Sequence, residues 1–499
     1  MSATALQPVD GTSQRWHVRA SSISETVQKL SQIWSGVAHD ALSEDVTDSE
    51  RAALRSDPHL MARMDEARKG TAGAGELRIR TRTSVLTLIV VAPAPETAER
   101  AMATVNALTA RHPSRAIILS PSDPDGPAAF DAHIYAACRV PTGGMAEICT
   151  EEILIKTGGE LSQHLGTAVA PLLIHDLPVV LWWPDDVPFG SPNFRGLVHE
   201  CDRLLVDAGQ FRGDGTEHLV GMRQAILDGL VVHDIGWMRG MLWRELLAGI
   251  YDHPLLTREQ SSIRSLRIDV ARPGRTTRIG RALTFAGWIA SRLEWSIAEP
   301  LQPSDDGTYR GAFRAGRRTI PVEIRPVGAT VDGSVRSAGS LVRVELESAH
   351  PRAATRVRVT RQSDHLLATA DWNGAQVARR AARLETFEEM PFLAEALDRT
   401  GHDRVFEHAL ERAVRLLAPA GGGPSGAGST GNGAAAGSSA ASAGASGVDG
   451  EGSASGEGEG SGLDGEGSAS GDTSASGNES ASGNASPSGN ASPSGESEG

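Results

Sequence analysis

Apolar positions along this chain recur with two periods, and the change from one to the other marks its elements. Over residues 22–40, Ile23, Val27, Leu30, Trp34 and Val37 fall on one helical face, and Ser22 and Glu25 have capping-box spacing, so an amphipathic helix is predicted. The stretch 45–75 is polar and broken by glycine, which reads as a helix with a loop. Short β-branched runs at 84–92, 112–120, 177–183 and 202–207, with an alternating run at 148–157, predict strands. Residues 96–110, 159–168 and 194–201 between them have helical character. This alternation predicts an α/β domain with a mostly parallel sheet covered on both faces.

After Pro254 the order changes. One strand (263–270) and one helix (281–295) lead into consecutive strands at 309–325, 341–347, 356–361, 366–371 and 376–383, closed by helices at 388–398 and 403–417. That order predicts an α+β domain with a largely antiparallel sheet. The expected organisation is an N-terminal helical leader (1–75), an α/β domain (76–255), an α+β domain (256–420) and a disordered acidic tail rich in Gly, Ser and Ala (421–499).

Two segments concentrate the recognition chemistry. LPVVLWWP carries Trp182 and Trp183, and DIGWMRGMLWRELL carries Trp237, Arg239, Trp243 and Arg244, so together they hold four of the nine tryptophans. Trp and Arg are enriched at the centres of protein interfaces, which makes these six residues candidates for a partner-binding surface; the same indoles could equally fill a core. Plotted as a helix, 234–251 is apolar nearly all round, the mark of a helix that is buried or covered by a partner. Arg239 and Arg244 fall inside its apolar sectors and each needs a carboxylate or an aromatic ring, with Asp202 and Asp207 as candidate carboxylates.

Composition narrows the function. The tail holds ten acids and no Lys or Arg, so of the net charge of −14 only about −4 belongs to residues 1–420. Lysine occurs only at 29, 69 and 156, and the arginines are scattered among acids, which argues against a nucleic-acid interface. No apolar run approaches the ~20 residues needed to span a bilayer, and no signal sequence is read, so a cytoplasmic protein with no membrane partner is expected. Three cysteines are too few for a secreted disulfide framework.

The usual catalytic signatures are missing. None of the three lysines follows a glycine as a Walker A loop requires, and the body has no GxGxxG, GxSxG or HExxH. His133, Cys138 and Cys149 match no standard zinc spacing, so no metal is expected. Glu151 and Glu152 are adjacent on a strand and point to opposite faces, a poor acid–base dyad. Asp185 and Asp186 follow a strand, where an open α/β sheet places its ligand crevice, although Asp beside Pro is more often a turn former.

Taken in order, LSQIW, VLTLIVV, HPSRAIIL, the stretch 151–184, DRLLVDAGQF and DIGWMRGMLWRELLAGIYDHP resemble the OpcA family, the glucose-6-phosphate dehydrogenase assembly proteins of actinobacteria and cyanobacteria. The resemblance covers roughly residues 22–418 and is most specific from 151 to 254. It implies two domains without catalysis or a cofactor of their own, acting on glucose-6-phosphate dehydrogenase as partner in the oxidative pentose phosphate pathway. Cyanobacterial members are associated with thioredoxin-responsive cysteines, which makes Cys138 and Cys149 the redox candidates, although neither is matched to a family position. The alternative from the residues themselves is an enzyme or sensor that binds a sugar phosphate or nucleotide through arginines near strand ends. A purely structural scaffold is a third reading.

Overall fold

The computed structural model describes residues 4–6, 12–43, 79–82, 84–109, 111–139, 146–331, 334–351, 353–384 and 389–417. The predicted helix–loop at 45–75 and the acidic tail lie outside them. Ten strands form the first sheet: β1 (Thr4–Leu6), β2 (Thr12–Ala20), β3 (Ile79–Arg82), β4 (Leu86–Val91), β5 (Ser114–Pro121), β6 (Ala129–Arg139), β7 (Ala146–Gly158), β8 (Val179–Trp183), β9 (Arg203–Val206) and β10 (Val231–Asp234). Their order is β1-β2-β6-β7-β5-β4-β8-β9-β10, with β3 beside β7. From β7 to β10 every pairing is parallel. That run reproduces the 3-2-1-4-5-6 strand order of doubly wound dinucleotide-binding sheets.

Its helices are α1 (Ile23–Ser43), α2 (Pro95–Leu108), α3 (Leu165–Val169), α4 (Pro192–His199), α5 (Thr216–Leu227), α6 (Ile235–Arg239) and α7 (Met241–Ile250). The capping box forms, with the Ser22 hydroxyl accepting from Glu25 N at 3.1 Å. Strands β4, β8 and β9 are buried along their whole length because both faces are covered. One face carries Leu88, Val90, Trp182 and Leu205; the other carries Ile89, Val91, Leu181, Trp183 and Leu204. Each such side chain contributes about 1.5–3 kcal/mol by full burial.

The second sheet contains β11 (Ile263–Ala271), β12 (Ser296–Pro303), β13 (Tyr309–Ala315), β14 (Arg318–Val327), β17 (Leu341–His350), β18 (Ala353–Arg361), β19 (His365–Trp372) and β20 (Ala375–Arg383), ordered β12-β13-β14-β11-β17-β18-β19-β20. Between them β15 (Thr330–Val331) and β16 (Ser334–Val335) make a small hairpin. All neighbours are antiparallel except β11 and β14. One face is apolar and lies under α8 (Gly280–Arg292) and α10 (Arg404–Leu417). On the other, cross-strand pairs such as Arg267–Glu323 (3.2 Å), Arg325–Asp269 (2.8 Å) and Arg356–Glu347 (2.8 Å) alternate along the strands with period two.

Four expectations change. The leader is not only helical: Trp16, Val18 and Ala20 alternate toward the core, so β2 pairs with β6 and belongs to the first sheet. Strands β6 and β10 and helix α5 are additional elements. The predicted strand 309–325 is a hairpin turning at Gly316 and Arg317. The predicted helix 234–251 breaks at Gly240 into α6 and α7. Moreover, α9 (Glu389–Asp398) returns from the second sheet to the first and places Leu393, Ala394, Ala396 and Leu397 in the same cluster as Leu88, Val90 and Trp182. The described residues accordingly fall in one compact unit built around two sheets.

Candidate functional site

The C-terminal ends of β9 and β10 carry two buried carboxylates. Asp207, fully buried, follows β9 and receives Arg239 Nη1, Arg281 Nη2 (3.4 Å) and its own loop's Gly209 N (2.9 Å). Burial alone would raise its pKa, but the Arg281 and Arg239 guanidiniums outweigh that and hold it below the usual carboxylate range. Asp234 ends β10 and caps α6, accepting from Ala208 N (2.9 Å) and Gly236 N (2.8 Å). Its pKa is pushed up to about 6, first by burial and then by the charge of Asp207. A Cβ at Gly209 would lie 1.9 Å from Arg281 Nη2, so a larger residue there would displace that guanidinium from Asp207.

Asp234, Arg239 and Arg281 border a cavity of about 650 Å³ between α6, α7, α8, α9 and the second sheet. Among the described residues six arginines line it: Arg239, Arg244, Arg281, Arg336, Arg361 and Arg383. Arg244 lies over Trp237, 3.5 Å from the ring centroid, and donates to the Trp237 carbonyl at 2.7 Å. Desolvation pulls its pKa down to about 10. Arg239 lies 5.5 Å from the Phe392 ring centroid. Arg336 donates to the carbonyls of Gln362 and Ser363 at 3.2 and 3.3 Å. Arg361 is pulled down to about 10 by burial and then by the positive charges of Arg336 and Arg281.

The structure brings some of the sequence candidates together and separates others. Trp237, Arg239, Trp243 and Arg244 border the cavity, and the two arginines have the partners that their apolar sectors demanded: a carboxylate for Arg239 and an indole for Arg244. The tryptophans themselves do not form a surface. Exposure is 0% for Trp182, 3% for Trp183, 7% for Trp237 and 4% for Trp243, so within this chain they are core, because β8 is covered on both faces and α7 turns its indole inward.

Asp185 and Asp186 do not line the cavity. Asp185 accepts from Thr97 Oγ1 (2.7 Å), while Asp186 accepts from Arg212 N (2.6 Å) and pairs with the Arg212 and His218 side chains (3.0 and 3.3 Å). They fasten the loop after β8 to α2, to α5 and to the loop that carries Arg212, and the cavity lies further along the sheet, at β9 and β10. Glu151 and Glu152 do point apart, the first to Arg115 and Trp34 Nε1, the second to Asn106 Nδ2 (3.0 Å). Cys149 is buried, disulfide-bonded and directly opposite Cys138 in the β6–β7 register. Cys201 is a free thiol whose pKa burial pushes up, an unreactive setting.

Arg281, Arg336, Arg361 and Arg383 escape a reading of the sequence, because single arginines in an arginine-rich chain carry no local signal. Asp207 did leave one, since it stands directly after the apolar run Leu204–Val206; Asp234, behind His233, did not. Among the described residues no group of His, Cys, Asp and Glu could hold a metal ion, and no helix is long and apolar enough to cross a membrane. The first β–α turn, Ala92-Pro93-Ala94 leading into Pro95, has no glycine and no side-chain cap, so it does not fit the pyrophosphate of a dinucleotide.

Fold and site thus define a class: a doubly wound sheet without its phosphate-binding glycines, joined to an antiparallel sheet across an arginine-lined cavity. Residues 105–224 match the family described as glucose-6-phosphate dehydrogenase subunit N-terminal domain, and residues 230–410 match the corresponding C-terminal domain. The chain belongs to the OpcA family. It is 26% identical over 306 residues to the putative OxPP cycle protein OpcA of Nostoc punctiforme, covering 60% of this chain and 64% of that protein. Against the OpcA protein of Synechocystis sp. the identity is 23% over 314 residues, covering 62% and 65%. The match thus spans somewhat less than two thirds of these relatives' own length. Among solved structures, the WlbA dehydrogenase from Thermus thermophilus, in complex with NAD and alpha-ketoglutarate, is similar at a TM-score of 0.36 and 9% identity, over 68% of this chain and 97% of that one.

Proposed function

We propose that this chain is a non-catalytic assembly factor that binds glucose-6-phosphate dehydrogenase and favours its active oligomer. The observation that supports this reading is the match of both dehydrogenase-subunit domains, in order, across the two sheets. The glycine-free β–α turn agrees with it, since a nicotinamide enzyme on this sheet needs that turn for its cofactor. To activate, the protein must bind the active state better than the inactive one, and a tenfold shift in population requires only ~1.4 kcal/mol of differential affinity. Because the indoles are core, direct contact falls to the exposed side of α7, where Met241, Glu245 and Ala248 reach solvent.

The test is an assay of the dehydrogenase from the same organism at increasing ratios of this protein, with light scattering to follow assembly. The expected result is a higher rate or a lower substrate requirement, together with a larger oligomer; the protein alone reduces no NADP. An unchanged rate curve and unchanged mass at all ratios sink the reading.

A further inference from the structure

A sheet edge is a template for another strand, and proteins blunt their edges with short strands, prolines or irregular pairing. Among the described residues, the edges of the two large sheets follow that rule with one exception. In the first sheet β1 has three residues, and β3 and β10 have four each. At one edge of the second sheet, β12 carries Pro300 and Pro303 and slips register twice against β13. At the other edge β20 runs for nine residues without a proline, and its register with β19 is unbroken from Ala378 to Arg383. None of its residues is buried and four are alanines, so its side chains shield the outer backbone little. The edge also continues the exposed side of α7. Arg380 pairs with Asp252, just beyond that helix, at 3.7 Å, and its guanidinium occupies the place that a Cβ at Gly249 would take. Met241, Glu245, Ala248 and Gly249 follow one another at helical spacing on that side of α7.

We propose, resting on the assembly reading, that an acidic extended segment of glucose-6-phosphate dehydrogenase adds to the second sheet as a strand along the outer edge of β20. In strand addition, main-chain hydrogen bonds supply the affinity and side chains select the partner. Charge makes that selection here. Arg379 is exposed with no ion pair among the described residues, and Arg380 holds only the exposed Asp252. Adjacent residues of a strand point to opposite faces, so a carboxylate on either face of the incoming strand meets a guanidinium. A second copy of this chain fits less well: antiparallel pairing of β20 with itself over its full length centres on residue 379 and sets Arg379 against Arg379, and like charges directly opposite are destabilising. The chain's own acidic segment, residues 421–499, is rich in Gly and Ala, which strands disfavour.

Amide hydrogen exchange of the full-length chain, alone and with an excess of the dehydrogenase from the same organism, tests it. Strand addition should slow exchange at least tenfold at alternate amides of residues 378–383, those turned away from β19. Arg379→Glu should weaken the complex at least tenfold, and more at low salt, while the melting temperature of the isolated chain stays unchanged. A complex that forms with β20 exchange unaltered overturns strand addition and leaves the assembly reading standing, whereas no complex by light scattering overturns both. Equal affinity of the parent and Arg379→Glu also overturns strand addition. Concentration-dependent slowing in the chain alone assigns the edge to a second copy, and faster exchange after truncation at Ala420 assigns it to the chain's own acidic segment; either result overturns the dehydrogenase as the occupant.

Discussion

At the residue scale, burial redirects two side chains from the roles their types suggest. Trp243 is 4% exposed within the main core cluster. Trp243→Ala should therefore cost about 3–5 kcal/mol of stability, the range for deleting a large aromatic from a core. Denaturant unfolding beside a partner-binding titration checks this: full stability with lost binding would return the residue to an interface. Asp234 carries a pH signature. Its pKa is near 4 in an unfolded chain and about 6 in the fold, so between these values the folded state holds the extra proton. The stabilisation is complete below about pH 4 and is lost as pH rises through about 6, a change of roughly 3 kcal/mol. Asp234→Asn keeps an oxygen to accept from Ala208 N and Gly236 N and removes the titration. Its stability should stay nearly flat from pH 4 to 7 relative to the parent; parallel profiles would show that Asp207 and its arginines, not Asp234, govern this window.

At the element scale, periodicity located helices and strands better than it located their ends. The capping box of α1 and the apolar runs of β4 and β8 are local signals, and they appear where expected. The break at Gly240 and the turn at Gly316–Arg317 were passed over because the apolar pattern runs through both. The packing of α8 on α10 depends on another feature no pattern shows. A Cβ at position 287 would lie 2.1 Å from the Ala409 carbonyl oxygen, so the two helices touch backbone to backbone. Gly287→Ala forces them apart and should cost about 1–3 kcal/mol, as overpacking does, visible as a lowered melting temperature. An unchanged melting point would mean that α10 shifts freely on α8.

At the scale of the whole molecule, the boundary read near residue 255 separates the sheets but not the folding unit, because α9 covers the first sheet from a position late in the chain. Residues 421–499 carry ten acids, no Lys or Arg and no aromatic residue, and so offer almost nothing to bury. Truncation after Ala420 should leave thermal stability and any activation of the dehydrogenase unchanged at physiological salt, altering at most their salt dependence. Comparing full-length and truncated chains at two salt concentrations checks this, and a large loss of activation at physiological salt would make the tail a binding element.

Residue order alone determined that there are two kinds of sheet, in which order they come, and that Arg239 and Arg244 need partners. Those conclusions follow from period, composition and the cost of burying a charge, all of which act locally. Tertiary structure decided that Trp182, Trp183, Trp237 and Trp243 are core, that Asp185 and Asp186 bind loops, and that Arg281, Arg336 and Arg361 converge from three distant segments. Convergence of that kind leaves no trace in spacing, since residues 281, 336 and 361 become neighbours only when α8, the segment after β16 and the end of β18 close on one cavity.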